Sequence, residues 1–264
     1  MNQNEGQPVT LPLYLTPEHP CSYYPEREAR TVFADPRLIP DRRAQTEMAE
    51  AGFRRSGSYL YRPECEHCSA CIPLRVPARG FTPNRSQRRN LRDNADLNIS
   101  WQRSWCDDEL LALYNRYQHW RHPEGDMVAH GAAHFSDFLL SRWADSWFLE
   151  IQDEERLVGV LVADRLERGI SAVYTFYDPA YEQRGLGSFA ILQLIAHARS
   201  QGLRDVYLGY WLPGHPKMDY KRKFGPAEYF VEGQWRRAES PQVREKVALH
   251  EAMGQNPAPS EETG

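Results

Sequence analysis

The sequence predicts an α+β fold in which a mixed, largely antiparallel sheet is flanked by helices. Three strand-like runs with short polar turns between them fill residues 147–176, which is typical of an antiparallel meander. A glycine-containing turn follows, then a segment with apolar residues at helical spacing, then another strand-like run at 205–210. A cysteine cluster lies well upstream of the meander, so we expect an N-terminal lobe that contains these cysteines.

The remaining elements are expected on both sides of the meander. Residues 1–20 are polar and contain proline, which favours an extended arm. Asp107 begins an amphipathic helix, because acidic residues in a first turn interact favourably with the helix dipole. Other expected elements are a mixed helical and turn segment at 48–61, strands at 72–76 and 97–101, a basic helix at 87–94 and a second helix at 134–145.

Length and composition limit the class of protein. A chain of 264 residues can form one large domain or two small ones; we expect an N-terminal lobe at 1–105, a catalytic domain at 106–235 and a charged tail at 236–264. The formal net charge of −4 argues against a protein that coats nucleic acid, although it is compatible with a local basic patch. The apolar runs are too short to cross a bilayer and the first residues lack a secretory pattern, so we expect a cytoplasmic protein.

The glycine turn that follows the meander contains Arg184, Gly185 and Gly187. Successive backbone N–H groups in such a turn can bind an anion, and the N-terminus of the next helix adds positive potential. A tight turn with no ligand is the alternative interpretation. The pattern Arg/Gln-x-x-Gly-x-Gly/Ala after a meander resembles the acyl-donor loop of GNAT-type acyltransferases, in which the loop binds the pyrophosphate of acetyl-CoA.

Four of the five cysteines are candidate ligands of a metal. Cys65, Cys68 and Cys71 are spaced at intervals of three, and Cys21 is a fourth candidate that only folding can bring to them. Clustered thiols suit zinc or an iron–sulfur cluster, whereas buried free thiols are the alternative. The odd total of five cysteines argues against a disulfide framework.

An arginine-rich stretch follows the cysteines, with no acidic residue from position 72 through position 92. Four of its arginines have the spacing i, i+3, i+4, i+7 and therefore share one face of a helix. A solvated face is the ordinary interpretation of such a run. Because this face has one sign only and consists of arginine, we favour contact with the phosphates of an RNA. The four residues are Arg85, Arg88, Arg89 and Arg92.

Aromatic residues and two lysines follow the last strand-like run. Tyrosines and a tryptophan occupy positions 207–211, and Lys217 and Lys221 come shortly after them. The aromatic residues can simply be core. Lysines on a loop beside them suit a cleft in which a base stacks and phosphates are held.

Taken together, these segments resemble the arginyl/leucyl-tRNA–protein transferase family, in particular its short bacterial branch. The resemblance implies a GNAT-like fold that takes aminoacyl-tRNA in place of acetyl-CoA. It further implies transfer of leucine from leucyl-tRNA to proteins that begin with Asp or Glu, in the N-end rule pathway, with neither DNA nor a membrane as a partner and no cofactor needed for catalysis. The matching segments are 21–25, 68–76, 86–89 with Asn94, 174–179 and 207–221.

For this chemistry we expect the end of the third meander strand to hold the reacting groups. Asp178 is a candidate proton acceptor or amine anchor, and Tyr177 and Tyr210 are candidate donors to an oxyanion. The alternatives are a turn aspartate before Pro179 and tyrosines that pack with satisfied hydroxyls. Lys217, Lys221 and the turn would hold the tRNA terminus.

The acceptor's acidic side chain needs a cation, for which Arg27 and Arg30 are candidates, with ordinary exposed arginines as the alternative.

Two other functions share part of the pattern. An acetyl-CoA-dependent N-acetyltransferase would have the glycine turn, but it leaves the arginine face and the cysteines unexplained. An RNA-binding module with a metal knuckle would not need the meander.

Overall fold

A computed structural model describes residues 11–37, 40–122 and 131–254 of the chain. Its helices are α1 (Arg42–Glu50), α2 (Arg85–Asp93), α3 (Asp108–Arg121), α4 (Gly131–Leu139), α5 (Leu186–Ser200) and α6 (Pro241–Gly254). Its strands are β1 (Leu13–Leu15), β2 (His19–Pro20), β3 (Glu28–Ala29), β4 (Thr31–Ala34), β5 (Arg54–Ser56), β6 (Tyr59–Pro63), β7 (Ile72–Pro77), β8 (Asn98–Arg103), β9 (Ser146–Asp153), β10 (Arg156–Arg165), β11 (Gly169–Tyr177), β12 (Asp205–Trp211), β13 (Glu228–Val231) and β14 (Gln234–Arg237).

The meander expected from the sequence forms half of the main sheet. Strands β9, β10 and β11 pair antiparallel in succession, and β8 adds to the outer edge of β9. The sheet has eight strands in the order β14-β13-β7-β12-β11-β10-β9-β8, and its one parallel pair is β11 with β12. The predicted α+β class, with a mixed and largely antiparallel sheet flanked by helices, is therefore confirmed.

The two parallel strands separate soon after they begin. Gly169, Ile170 and Ser171 pair with the start of β12, and no pairing follows beyond Ser171 in these described strands. β12 then turns away at Gly209, which has φ +81° and lies at a register shift against β7. A wedge therefore opens between the C-terminal halves of β11 and β12, and we call it the fork.

Helices cover both faces of the main sheet. The larger apolar core lies between the sheet and α5, where residues such as Leu186, Ala190 and Leu194 are fully buried. The second core lies on the opposite face, where Leu113 of α3 and Phe135 of α4 pack on β10 and β11. This arrangement fixes the end of β11 between α3 and the first turn of α5.

The N-terminal region is divided between two sheets. Strands β1, β4, β6 and β5 form a small sheet of their own, with a minor core around Phe53 and Leu60. β7, however, lies in the middle of the main sheet between β12 and β13, and β8 is its edge. The expected domain boundary at residue 105 consequently separates strands that pair in one sheet. Helix α6 belongs to the segment 236–264 that was expected to be a tail, and it packs on β13.

Local signals account for most element boundaries. Asn84 and Gln87 form a capping box at the start of α2, and Asp107 caps α3, which begins one residue after the expected start. The expected helix at 134–145 is wrong at its end, because α4 stops at Leu139 and a new strand begins at Ser146. Across the described residues, no helix is both long and apolar enough to pass through a membrane.

Candidate active site

Helix α2 lies directly against the glycine turn. Asn90 donates to the carbonyls of Arg184 and Gly185 at 2.9 and 3.3 Å, and Asn94 donates to Arg184 O at 3.0 Å. Asn94 is completely buried. Because buried amide contacts of this kind hold both partners in register, the basic helix and the turn form one surface.

The predicted arginine face of α2 points to solvent. Its inward side consists of Gln87, Asn90, Leu91 and Asn94, while the four arginines are exposed. None of the four forms an ion pair with a carboxylate of the described residues, although Arg88 donates to Pro83 O at 2.5 Å. This face is therefore an exposed cluster of guanidinium groups without carboxylate partners among the described residues: Arg85, Arg88, Arg89 and Arg92.

The turn itself has the backbone that an anion site requires. Gly185 has φ +64° and no side chain caps the α5 N-terminus that follows it. A Cβ on Gly187 would lie 3.8 Å from the Tyr177 ring, which places the turn beside the end of β11. Arg184, by contrast, folds back onto α2, where it pairs with Asp96 and donates to Asn94 Oδ1 at 3.0 Å. Its contacts are those of a residue that joins the turn to α2.

The end of β11 is surrounded by aromatic rings. Tyr177 packs against Tyr117 and Trp120 of α3, with ring centroids 5.1 and 5.9 Å apart. Burial raises the pKa of the Tyr177 hydroxyl and nearby Arg121 opposes the shift. The hydroxyl is accordingly neutral at pH 7, and it has no hydrogen-bond partner among the described residues.

Asp178 has the surroundings of a structural residue. Arg156 donates to its Oδ2 at 2.5 Å, Arg116 approaches the same oxygen at 3.4 Å, and Oδ1 accepts from the N–H of Ala180 at 3.0 Å. The carboxylate thus caps the short 3-10 helix at Pro179–Arg184. These contacts favour the turn aspartate that the sequence left open over a proton acceptor.

Tyr210 and Lys221 are similarly engaged inside the protein. The Tyr210 hydroxyl donates to Gly52 O and Tyr61 O, which ties β12 to the small sheet. Lys221 is only 8% exposed and its ammonium donates to Tyr210 O at 2.7 Å. A buried ammonium bound to a backbone carbonyl is a poor contact for an external phosphate chain, so the position of Lys221 disagrees with its predicted contact to tRNA. Lys217 is exposed, and its position is compatible with that contact.

The two arginines expected to bind the acceptor are half-buried and lie beside the cysteine cluster. Arg30 pairs with Glu18 at 3.2 Å and Glu66 at 3.6 Å. Arg27 pairs with Glu26 at 3.6 Å and lies over the Tyr24 ring. Both cations therefore already have carboxylate partners.

The four clustered cysteines come together in the fold as free thiols. Cys21, Cys65 and Cys68 all lie close enough to affect the pKa of Cys71, which burial raises well above its usual range. Cys68 Sγ accepts from Arg27, and Cys65 donates to Arg30 O at 3.7 Å. Within the described ranges, no three His, Cys, Asp or Glu side chains are arranged as a metal-ligand set. The metal expected at these cysteines therefore stays a prediction, and no catalytic step is derived from one.

Arg54 lies at the fork, and the sequence analysis did not identify it as a functional residue. It belongs to the segment 48–61, whose mixed signals gave no motif, and its neighbour Arg55 looks identical in the sequence. Strand alternation is the signal that separates them, because successive side chains point to opposite faces. The strand itself only became evident from its pairing with β6.

Comparisons with known proteins agree with this arrangement. Residues 19–89 match the family model "Arginine-tRNA-protein transferase, N terminus", and residues 109–231 match "Arginine-tRNA-protein transferase, C terminus". The chain is 48% identical over 226 residues to a protein of Teredinibacter turnerae, covering 85% of this chain and 93% of that one. It is 47% identical over 225 residues to a protein of Pseudomonas paraeruginosa, covering 85% and 96%. Both are named aspartate/glutamate leucyltransferase.

A solved structure of a tandem GNAT protein from the clavulanic acid biosynthesis pathway aligns with a TM-score of 0.41 and 12% identity, over 60% of this chain and 51% of that one. The family models together cover most of the chain, and the matched relatives align over nearly their whole length. The chain is therefore a transferase that belongs to the arginine-tRNA-protein transferase family.

Proposed function

We propose that this protein transfers leucine from leucyl-tRNA to the N-terminal Asp or Glu of acceptor proteins in the cytoplasm, and so marks them for N-end rule degradation. The observation that carries the proposal is the joining of the exposed arginine face of α2 to the glycine turn through Asn90 and Asn94. That surface suits a chain of phosphates that ends at the turn. The names of relatives at 48% and 47% identity support leucine as the donated residue.

The reaction is aminolysis of an ester. The acceptor's α-amine attacks the carbonyl carbon, the bond from that carbon to the tRNA 3′ oxygen breaks, and the tRNA leaves with a free hydroxyl. An α-amino group has a pKa of about 7.7 to 8.0, so a useful fraction is already neutral at physiological pH. The enzyme's main task is positioning, which can contribute about 7–11 kcal/mol.

Tyr177 is the strongest remaining candidate for stabilising the oxyanion. Its ring lies at the end of β11 beside Gly187 and its hydroxyl is neutral, whereas the hydroxyl of Tyr210 is engaged. Tyr177→Phe keeps the aromatic packing and removes one donor, so we expect kcat to fall by about 100-fold with little change in KM. A kcat within about twofold of the wild type would remove Tyr177 from this role.

A label-transfer assay tests the proposed function. The protein is incubated with radiolabelled leucyl-tRNA or arginyl-tRNA and with reporters that begin with Asp, Glu, Lys or Ala. We expect label from leucyl-tRNA on the Asp and Glu reporters alone. Equal labelling of all four reporters, or of none, contradicts the assignment. Tight binding of acetyl-CoA would instead favour an N-acetyltransferase, and tRNA binding without any transfer would favour an RNA-binding module.

The metal predicted at the four cysteines remains a prediction from the sequence. Elemental analysis and visible absorption of the protein purified without oxygen, compared with a variant in which Cys68 and Cys71 are serine, test it. Stoichiometric zinc, or iron with sulfide, lost in the variant, would support the site.

A further inference from the structure

Arg54 carries a partly buried guanidinium into the fork. Its Nη2 donates to Ala172 O at 2.5 Å and its Nη1 approaches Ser171 Oγ at 3.4 Å. These are the residues of β11 at and just beyond its last pair with β12. A Cβ on Gly209 would lie 2.7 Å from Arg54 Cζ, so glycine at this position leaves room for the guanidinium beside β12.

This guanidinium has no carboxylate partner within the described ranges, in contrast to Arg55 and Arg75. Arg55 makes a bidentate contact with Asp164 at 2.5 and 2.9 Å. Arg75 lies among Glu50, Asp205 and Glu228. A desolvated cation without a counter-ion is costly, so the absence of a carboxylate beside Arg54 needs an explanation.

A second cation lies along the same strand end. Lys221 Nζ donates to Tyr210 O, the residue immediately after Gly209. Burial, followed by the nearby charge of Arg54, lowers the pKa of Lys221 to about 7. The other titratable group that acts on it is Cys71, whose thiol burial keeps neutral. The Arg54 guanidinium and the Lys221 amine thus lie within range of each other's charge, and no carboxylate of the described residues acts on Lys221.

Tyrosines surround the two cations. Tyr61 and Tyr210 have ring centroids 6.0 Å apart, and Arg54 acts on the pKa of both. Tyr23 and Tyr220 are also within the range of its charge. A guanidinium among tyrosine rings, at the point where two strands separate, suits one carboxylate on a short side chain.

We infer that the fork is the subsite for the side-chain carboxylate of the acceptor's first residue, with Arg54 as its main ligand and Lys221 as a supporting charge. The inference rests on the proposed function and names the residues that select the acceptor. A donor phosphate is the other anion in the reaction. The exposed arginines of α2 provide for phosphates at the outer surface, whereas the partly buried fork sits between tyrosines, which favours a compact carboxylate.

The inference is tested by comparing how strongly the wild type and the Arg54→Gln variant prefer acidic acceptors. The kcat/KM for leucyl transfer is measured with peptides that begin with Asp, Glu, Asn or Gln, each presented with saturating leucyl-tRNA. Gln removes the charge, so transfer to Asp and Glu is expected to fall by about 100-fold while transfer to Asn changes little. The Asp-to-Asn ratio then collapses toward 1.

Two further variants keep the result interpretable. Arg62→Gln removes the same charge from the neighbouring strand, where Arg62 pairs with exposed Glu64, and should keep the wild-type ratio. Arg54→Lys restores the charge without the forked geometry and should regain part of the preference for Asp even if the Gln variant folds poorly. Thermal unfolding of each variant is recorded alongside.

The outcomes separate this inference from the proposed function. If the wild type labels no acceptor, the proposed function fails. If the wild type prefers Asp and both Arg54 variants keep its full Asp-to-Asn ratio, the acceptor subsite is overturned and the function stands. A loss that is equal for all four peptides and accompanied by weaker tRNA binding assigns Arg54 to the donor phosphate and also overturns the inference.

Discussion

At the scale of single residues, neighbouring arginines have opposite surroundings. Arg55 is fully enclosed, and besides Asp164 it donates to Gly57 O and Leu139 O. Its partner Asp164 also accepts from Ser146 Oγ at 2.6 Å. Arg54, one residue earlier, contacts neutral oxygens at the fork and no carboxylate of the described residues. Arg55 therefore belongs to a satisfied structural pair, whereas the charge of Arg54 is left without a counter-ion in the part of the chain that the structure describes.

Removing the enclosed arginine should destabilise the protein strongly. Arg55→Met leaves Asp164 as a buried charge without its partner, so we expect a loss of about 3–5 kcal/mol in the free energy of unfolding. Arg43→Met breaks only an exposed pair with Glu47 and should cost about 0.5 kcal/mol or less. Urea denaturation compares the two, and a similar loss in both variants would contradict the structural role of Arg55.

Glu150 on β9 should make stability depend on pH. Burial raises the pKa of its carboxyl, Ser100 donates to one oxygen, and the other is buried without a partner among the described residues. The native state then holds this proton more tightly than the unfolded chain, so the free energy of unfolding falls as pH rises above about 4.3. In urea denaturation at pH 4 to 7, Glu150→Gln should remove this fall in the free energy of unfolding with rising pH. An unchanged pH dependence in the variant would contradict the role of Glu150.

At the scale of elements, helix α2 performs two tasks with its two sides. Its amides hold the glycine turn, and its arginines face outward. The sequence spacing predicted the arginine face correctly, because the exposed side of a helix repeats every three to four residues. It could not show that Asn90 and Asn94 reach a turn about ninety residues further along the chain, since no local signal encodes that contact.

Replacing two arginines of this face should weaken the binding of tRNA regardless of its sequence, because phosphate contacts are lost. For Arg88→Ala with Arg89→Ala, the plot of log affinity against log salt concentration should become shallower by about 1.4 to 1.8, because two phosphate contacts are lost. Filter binding of tRNA from 50 to about 200 mM salt measures this slope. Arg43→Ala with Arg62→Ala is the matched control, and an equal slope in both double variants would remove α2 from the RNA surface.

At the scale of the whole molecule, the N-terminal region is part of the catalytic sheet. Ile72, Leu74 and Val76 of β7 are among the most buried residues of the main core, and β7 pairs with both β12 and β13. The fork lies between two strands of the later part of the chain, and Arg54 reaches into it from β5 in the earlier part. Neither part contains the complete site.

A fragment without the first 105 residues should not fold on its own. It would lack β7, so β12 would expose an unpaired edge and the main core would lose three enclosed apolar side chains. We expect residues 106–264 alone to show no cooperative thermal unfolding by circular dichroism, and coexpression with residues 1–105 to restore both folding and leucyl transfer. A soluble fragment with a sharp melting transition would contradict this expectation.

Local patterns in the sequence determined the meander, the start of α3, the basic helix and the family resemblance, because hydrophobic period, capping residues and turn chemistry act over a few positions. Tertiary structure alone decided which polar groups are free. Asp178, Tyr210 and Lys221 bond to groups within the protein, while Arg54 lacks a carboxylate partner in the described part. The physical reason is that a side chain's charge compensation depends on partners distant in the chain, which only the packed sheets bring together.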